Sequence, residues 1–377
     1  MRTRTPSGSA LQDAVDLYRQ PGPVTSLYLS LDAVDDPRGI DLRWRHSRSQ
    51  LAASGAPESD LRVLDEQVAA ARADPGPRVL AAFVADARLL AAHSLERCDE
   101  YDLCRYGSLA AGGPFLAWAQ RSIGYLVVVT DHTGADISVR RWPAIRDGVS
   151  HVEGSHDEIV RTAAGGWRAW SQARYQRRVV DSWEHNATEV AEAVSALARE
   201  SAAELVLITG DIRSVRMMHD ALPQRLQSLT RIVEGGSTRD EEGWSPALDK
   251  HLLDAVESTN HATAVALIAA WRSLEGQGRL ATAGARATAS ALRAAKVATL
   301  LIGYDSADRR TTWLGPDRHQ VALTFAELAP LDLPVHRVPL ADAFIGAALA
   351  TGADVRVVPG DLSGELPDGV GAVLRFP

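Results

Sequence analysis

The sequence predicts an α/β fold in three domains, the middle one a mixed sheet with a long helix and the last an α/β/α sandwich. Three observations predict it. Apolar runs of strand length alternate with segments of helical period along the chain. A length of 377 residues exceeds one ordinary core and suits two or three domains of roughly 100 to 150 residues each. With 46% hydrophobic residues and 29 glycines the chain has ample material for such cores, which excludes wholesale disorder. The expected domains are residues 1–120 (N-terminal, α/β), 121–240 (middle, with a Gly-Gly-Trp loop) and 241–377 (C-terminal, α/β/α).

In the first domain the spacing predicts a helix over residues 9–18 and a strand over 24–31, where Leu27, Leu29 and Leu31 share one face of a half-buried strand. Helices follow over 40–54 and 59–73, and a buried strand over 79–85 after Pro75-Gly76-Pro77. Residues 109–116 are expected to carry the chain into the next domain.

The middle domain opens with a hairpin, residues 125–131 and 135–142, around the turn His132-Thr133-Gly134. Residues 148–166 are polar and read as a long loop, a kind of segment that is usually functional or disordered. A long helix is expected from Trp167 to about Ser201, because Val179, Trp183, Ala187, Val190, Ala191, Val194, Leu197 and Ala198 recur at three-and-four spacing. Residues 204–210 then read as a buried parallel strand, followed by a helix over 215–221 and a last strand over 229–233.

The C-terminal domain begins with helices over 246–275 and 283–295. A strand over 298–304, a charged loop over 305–310, extended pieces at 335–338 and 355–358, and a closing strand over 371–376 complete it.

The most informative stretch is Gly165-Gly166-Trp167-Arg168 and the helix it opens. Between Arg161 and Arg178 stand five arginines and no acid, in a chain whose formal net charge is -8. A basic first turn opposes the helix dipole, so this inversion implies an external anion. Adjacent glycines reach backbone conformations closed to other residues, and arginine combines phosphate pairing with stacking on flat groups, which makes RNA the natural candidate. A plainer reading stands beside it: a diglycine is often only a flexible lead-in to a helix, and Trp167, Trp170 and Trp183 can all pack inward.

Other candidates weigh less. His132 reads as a solvated turn residue. His151, Glu153, His156, Asp157 and Glu158 lack the spacing of a helical zinc motif, so a polar loop is expected there and no metal. Gly112-Gly113 has no phosphate-loop pattern, and no Walker, dinucleotide-binding or nucleophile-elbow motif occurs. No cofactor is expected. Two cysteines, Cys98 and Cys104, are too few for a disulfide framework, and no apolar run approaches the roughly 20 residues of a membrane span. The N-terminal residues lack the apolar core of a secretory signal, so a soluble, cytoplasmic protein is expected.

Three pieces in order resemble the archaeal and eukaryotic class I release factor family, which includes Pelota. Gly165-Gly166 and its arginine-rich helix are similar to that family's Gly-Gly-Gln loop and following helix. Residues 204–210 with Leu222-Pro223-Gln224-Arg225-Leu226 resemble its late middle domain, and 278–284 through 292–302 resemble the opening of its third domain. The resemblance covers roughly residues 121–377. It extends to the bacterial, actinobacterial branch that includes Balon-type ribosome hibernation factors, which occupy the ribosomal A site beside elongation factor Tu.

That resemblance implies a ribosomal partner, with rRNA and peptidyl-tRNA in reach and elongation factor Tu or another translational GTPase alongside. It also exposes a departure. The family's release chemistry uses the glutamine after the diglycine to place a water, and Trp167 stands there instead. An indole has one donor and no acceptor, so it cannot reproduce the amide's paired hydrogen bonding, and no catalytic residue is expected. The resemblance implies RNA binding by Gly165, Gly166, Trp167, Arg168, Trp170, Arg174, Arg177 and Arg178, through stacking and phosphate contacts. The competing expectations are a peptidyl-tRNA hydrolase or nuclease acting in rescue of stalled ribosomes, and a stress-linked interaction module that never touches the ribosome.

Overall fold

The computed structural model describes residues 10–32, 39–73, 78–96, 98, 102–121, 123–131, 134–142, 144–153, 170–233, 246–278, 280–329 and 334–376, with the side chains of 96, 141–153, 170–184, 246–249 and 252 outside that description. Two compact units emerge. One holds residues 1–120 together with 261–377, and the other holds residues 121–260.

The N-terminal part of the first unit runs α1 (Ala10–Arg19), β1 (Val24–Ser30), α2 (Gly39–Ala53), α3 (Glu58–Ala71), β2 (Arg78–Ala85), β3 (Arg88–Glu96), β4 (Cys104–Gly107) and α4 (Gly113–Gln120). Its antiparallel sheet has the order β3-β2-β1-β4, so β1 is internal. The half-buried strand expected at 24–31 is instead buried on both faces. Leu27, Leu29 and Leu31 pack with Ile40, Trp44, Leu61, Leu64 and Val68 of the two helices on one side. On the other, Tyr28 meets Phe83 edge-on at 5.7 Å, and Phe83 meets Phe115 of α4 at 5.7 Å. Residues 109–116, expected to be a passage between domains, are therefore core, and α4 buries Phe115, Leu116 and Trp118.

The strand β3 escapes sequence reading because its hairpin turn has no glycine. Ala85 pairs with Arg88, leaving Asp86 and Ala87 as the two turn residues, at φ 51 and 58. Positive φ at both central positions is the turn geometry that Asn-Gly or Gly-Gly usually supplies. Here the buried Asp60 carboxylate holds it: Ala87 donates its N–H to Asp60 at 2.8 Å, and Thr25 Oγ1 donates to the second oxygen at 2.8 Å.

The second unit contains β5 (Ile123–Thr130), β6 (Gly134–Trp142), β7 (Ala144–Glu153), α5 (Trp170–Glu200), β8 (Leu205–Gly210), α6 (Ile212–Ala221), α7 (Gln224–Leu229), β9 (Thr230–Ile232) and the first part of α8 (Pro246–Gly276). Its sheet, β7-β6-β5-β8-β9, is mixed: β5 pairs antiparallel with β6 and parallel with β8, and β8 pairs parallel with β9. Residues 148–153, expected as the start of a long loop, are strand; they extend the hairpin as β7, whose polar residues pair along β6. Loop composition misleads there because an edge strand needs little apolar surface.

The C-terminal part of the first unit adds β10 (Ala281–Ala283), α9 (Ala285–Arg293), β11 (Val297–Gly303), β12 (Thr311–Leu314), β13 (Val321–Ala322), β14 (His336–Pro339), α10 (Leu340–Ala350), β15 (Asp354–Val358), α11 (Gly360–Ser363) and β16 (Val370–Leu374). The main sheet here is β10-β16-β11-β15, with β11 and β15 parallel and β16 antiparallel to both neighbours. A separate antiparallel sheet has the order β13-β12-β14. Between them runs α10, an almost wholly apolar helix buried along most of its length. Among the described residues no helix is long and apolar enough to cross a membrane, and no His/Cys/Asp/Glu cluster could hold a metal.

Candidate functional site

The long helix α5 is seated by its C-terminal half. Val190, Ala191, Val194 and Ala198 are buried against Leu126, Val128, Ile137, Val206 and Ile208 of the mixed sheet and Val215 and Met218 of α6. The three-and-four spacing of those positions is what the sequence predicted. Downstream, Asp211 caps α6 by accepting from the N–H groups of Arg213 and Ser214 at 3.1 and 3.0 Å. Gly210, at φ +126, ends β8 where an added Cβ would lie 1.9 Å from the Thr130 carbonyl oxygen.

The predicted RNA-contacting residues sit at the other end of this helix. Trp170 is its first residue, and Arg174, Arg177 and Arg178 follow within its first turns; their side chains lie outside the description, as do Trp183 and Val179. Gly165, Gly166, Trp167 and Arg168, and the turn residue His132, lie outside the described residues altogether, as do His156, Asp157 and Glu158.

The structure brings together a second set that sequence reading missed. Asp342, in the first turn of the apolar helix α10, is fully buried. Its carboxylate accepts from Tyr18 Oη at 2.8 Å, from Arg105 Nη2 at 2.5 Å and from Tyr304 Oη at 3.4 Å. Burial pulls the Arg105 pKa down, and the Asp342 charge more than offsets it, so the guanidinium is held protonated above its ordinary range. Burial, followed by the Asp342 charge, raises the Tyr18 phenol well above its ordinary value, and burial raises Tyr28 as well. A cavity of about 360 Å³ opens beside these groups, lined by Arg105, Tyr304, Asp305, Arg309, Arg310 and Asp342. Gly112 and Gly113, which carry no phosphate-loop pattern, have a steric role here. A Cβ on Gly113 would lie 2.0 Å from Tyr304 ring carbons, and one on Gly112 would lie 2.8 Å from the Tyr18 ring. One signal in the sequence could have found this network: a lone carboxylate in the otherwise apolar run 340–350 demands a buried partner.

Comparison with known proteins identifies the domain that carries α5. Residues 124–279 match the model of the bacterial archaeo-eukaryotic release factor family 2. The similarity to that family is carried by this region, which takes in most of the second compact unit. Two uncharacterized proteins of Mycobacterium tuberculosis, from strains CDC 1551 and H37Rv, are each 26% identical over 370 residues, spanning 94% of this chain and 94% of the relative. Solved structures similar to it include Archaeoglobus fulgidus Pelota, at 12% identity over 97% of this chain and 92% of that one, with a TM-score of 0.41. A ribosome-bound archaeal Pelota with ABCE1 is 13% identical over 98% and 95%, with a TM-score of 0.39. Saccharomyces cerevisiae Dom34, a translation termination-like factor interacting with Hbs1, is 10% identical over 80% and 80%, with a TM-score of 0.37.

The matched span takes in the mixed sheet from β5 onward and the whole of α5, α6 and α8. It also contains the diglycine, so the position after Gly166 falls inside the family domain.

Proposed function

We propose that this release factor-like translation factor binds the ribosomal A site as a hibernation or stress factor of the Balon type, without hydrolysing the peptidyl-tRNA ester. One observation carries the reading: Trp167 stands after Gly165-Gly166, inside the family-matched span, where the family's release chemistry places a glutamine. An indole donates one hydrogen bond and accepts none, so it cannot hold a water in the way a carboxamide does, and the protein has no catalytic residue at its tip. The bulk of the ring favours stacking on a base instead, worth about 1 to 3 kcal/mol.

The spacing of α5 supports the same reading. Positions 170, 174, 177 and 178 recur at i, i+4, i+7 and i+8, one stripe of a helix of about 3.6 residues per turn. Arg168, Arg174, Arg177 and Arg178 on phosphates, with Gly165, Gly166, Trp167 and Trp170 at the tip, form the RNA-binding surface of this proposal. The partners are rRNA and peptidyl-tRNA, with elongation factor Tu or another translational GTPase alongside, and the location is cytoplasmic.

The test is co-sedimentation with 70S ribosomes across a salt series, run in parallel with peptide release from ribosomes carrying peptidyl-tRNA. The expected result is salt-sensitive association with no release above background. Release with turnover would establish a rescue hydrolase in its place, and no association even at low salt would establish an interaction module that acts elsewhere.

A further inference from the structure

We propose that the outer face of the small sheet β13-β12-β14 is a stacking platform for single-stranded RNA, built by Trp313, Phe325 and Arg337 and separate from the α5 tip. The sheet is one-sided. Along β12, Thr312 and Leu314 are buried while Thr311 and Trp313 are half-buried, and along β14, Val338 is buried while Arg337 is exposed. The buried residues face α9 and α10, which pack on this sheet, so the alternate residues face water.

Register then aligns the exposed set. Trp313 and Arg337 are direct cross-strand partners, and Thr311 lies two residues from Trp313 on the same face. The Arg337 guanidinium sits over the Trp313 ring at 6.0 Å and donates to Thr311 Oγ1 at 2.5 Å. Phe325, on the turn after β13, meets Trp313 edge-to-face at 5.4 Å and remains 52% exposed. An edge-to-face pair leaves ring faces open, and here an exposed phenyl and a half-buried indole present theirs side by side.

Charge decides the kind of occupant. Among the described residues Arg337 has no carboxylate partner. The neighbouring acid, Glu327, is engaged by Arg293 at 2.9 Å, Arg286 at 3.3 Å and Thr324 at 3.1 Å, so it does not repel a phosphate. A flat aromatic face beside a guanidinium whose charge no carboxylate neutralises among the described residues fits an unpaired base on the rings and its phosphate on Arg337. A duplex presents no free base face, which restricts the ligand to loops and single strands.

Fluorescence anisotropy with a labelled, uridine-rich single-stranded RNA of about ten nucleotides tests this on the full-length protein. Phe325→Ala and Arg337→Ser are expected each to weaken binding by about tenfold, Phe325→Tyr to retain it, and all three to melt as the wild type does. The same ratios are expected in a background in which Arg174, Arg177 and Arg178 are alanine. Equal affinity of wild type, Phe325→Ala and Arg337→Ser would overturn the platform and leave the face to a protein ligand, as would an absence of oligonucleotide binding by the wild type. Ribosome association that persists while oligonucleotide binding is absent removes this inference alone. Oligonucleotide binding that persists while ribosome association is absent removes the A-site reading alone.

Discussion

The side-chain amide of Gln120 occupies a strand's place beside Val355. Its Nε2 donates to the Val355 carbonyl at 2.6 Å, and its Oε1 accepts from the N–H of Val357 at 2.9 Å. One carboxamide at the end of α4 thus satisfies two backbone groups on β15, the edge strand of the main C-terminal sheet, from 235 residues away in the chain. Removing that amide leaves both groups to find water at a part-buried site. Gln120→Ala is expected to destabilise the protein by about 1 to 2 kcal/mol in urea unfolding. Gln120→Glu, which sets an acceptor against the Val355 carbonyl, is expected to cost more than Gln120→Ala.

The fully buried Asp342 and the part-buried Arg105 form an ion pair whose partners depend on each other. Removing the carboxylate alone strands a guanidinium and two phenol donors, so Asp342→Ala is expected to cost about 3 to 5 kcal/mol. The double substitution Arg105→Met with Asp342→Leu is expected to cost far less than the two single changes added, because no uncompensated charge remains. Chemical denaturation of the four proteins in a double-mutant cycle checks both expectations.

The same site sets an alkaline limit. Tyr18 and Tyr28 have phenol pKa values raised in the folded state, Tyr18 by burial and then by the Asp342 charge. The unfolded chain therefore loses these protons first as pH rises, and the stability they contribute is complete below about pH 10 and lost above it. Phenolate absorbance from two tyrosines is expected to appear only with unfolding. Titration of all seven tyrosines in the folded protein near pH 10 would contradict this.

Gly113 is required by the ring it touches. A Cβ there meets Tyr304 at 2.0 Å, on a backbone that α4 and the Phe115 core hold in place. Gly113→Ala is expected to lower stability by about 1 to 3 kcal/mol, and the added change Tyr304→Ala to recover part of that loss. Thermal melting of the single and double variants decides it.

If the tip of α5 reaches a peptidyl-tRNA ester, Trp167→Gln is expected to create release activity about tenfold or more above background, where the wild type is expected to stay. Replacing Arg174, Arg177 and Arg178 with alanine is expected to weaken ribosome association and to flatten its dependence on salt. The log-log slope is expected to fall by about 0.7 to 0.9 for each phosphate that is no longer neutralised. A wild-type salt slope in the triple variant would remove those arginines from the interface.

The periodic elements were legible before the structure. The stripe through Val190, Val194 and Ala198 specified where α5 packs, and the apolar run 204–210 specified an internal parallel strand, since both signals are local and repeat many times. Elements held by distant groups were not legible. β3 depends on Asp60 to stabilise a turn at Asp86 and Ala87 whose second position alanine does not favour. Helix α10 and strand β12 were overlooked as well, the first because a continuous apolar run has no period, the second because four residues are too few to show one. Residues 148–153 looked like loop because their polarity reflects an edge position in the sheet.

By itself the sequence determined the α/β class, the long helix with its basic first turns, and the Gly165-Gly166-Trp167 order that precedes it, since composition, period and a motif are all local properties. The tertiary structure alone decided that residues 1–120 and 261–377 form one unit and that Asp342 finds Tyr18 from 324 residues away. Such a pairing repeats nowhere along the chain. It arises because a buried carboxylate must be matched by donors, whichever distant segments supply them.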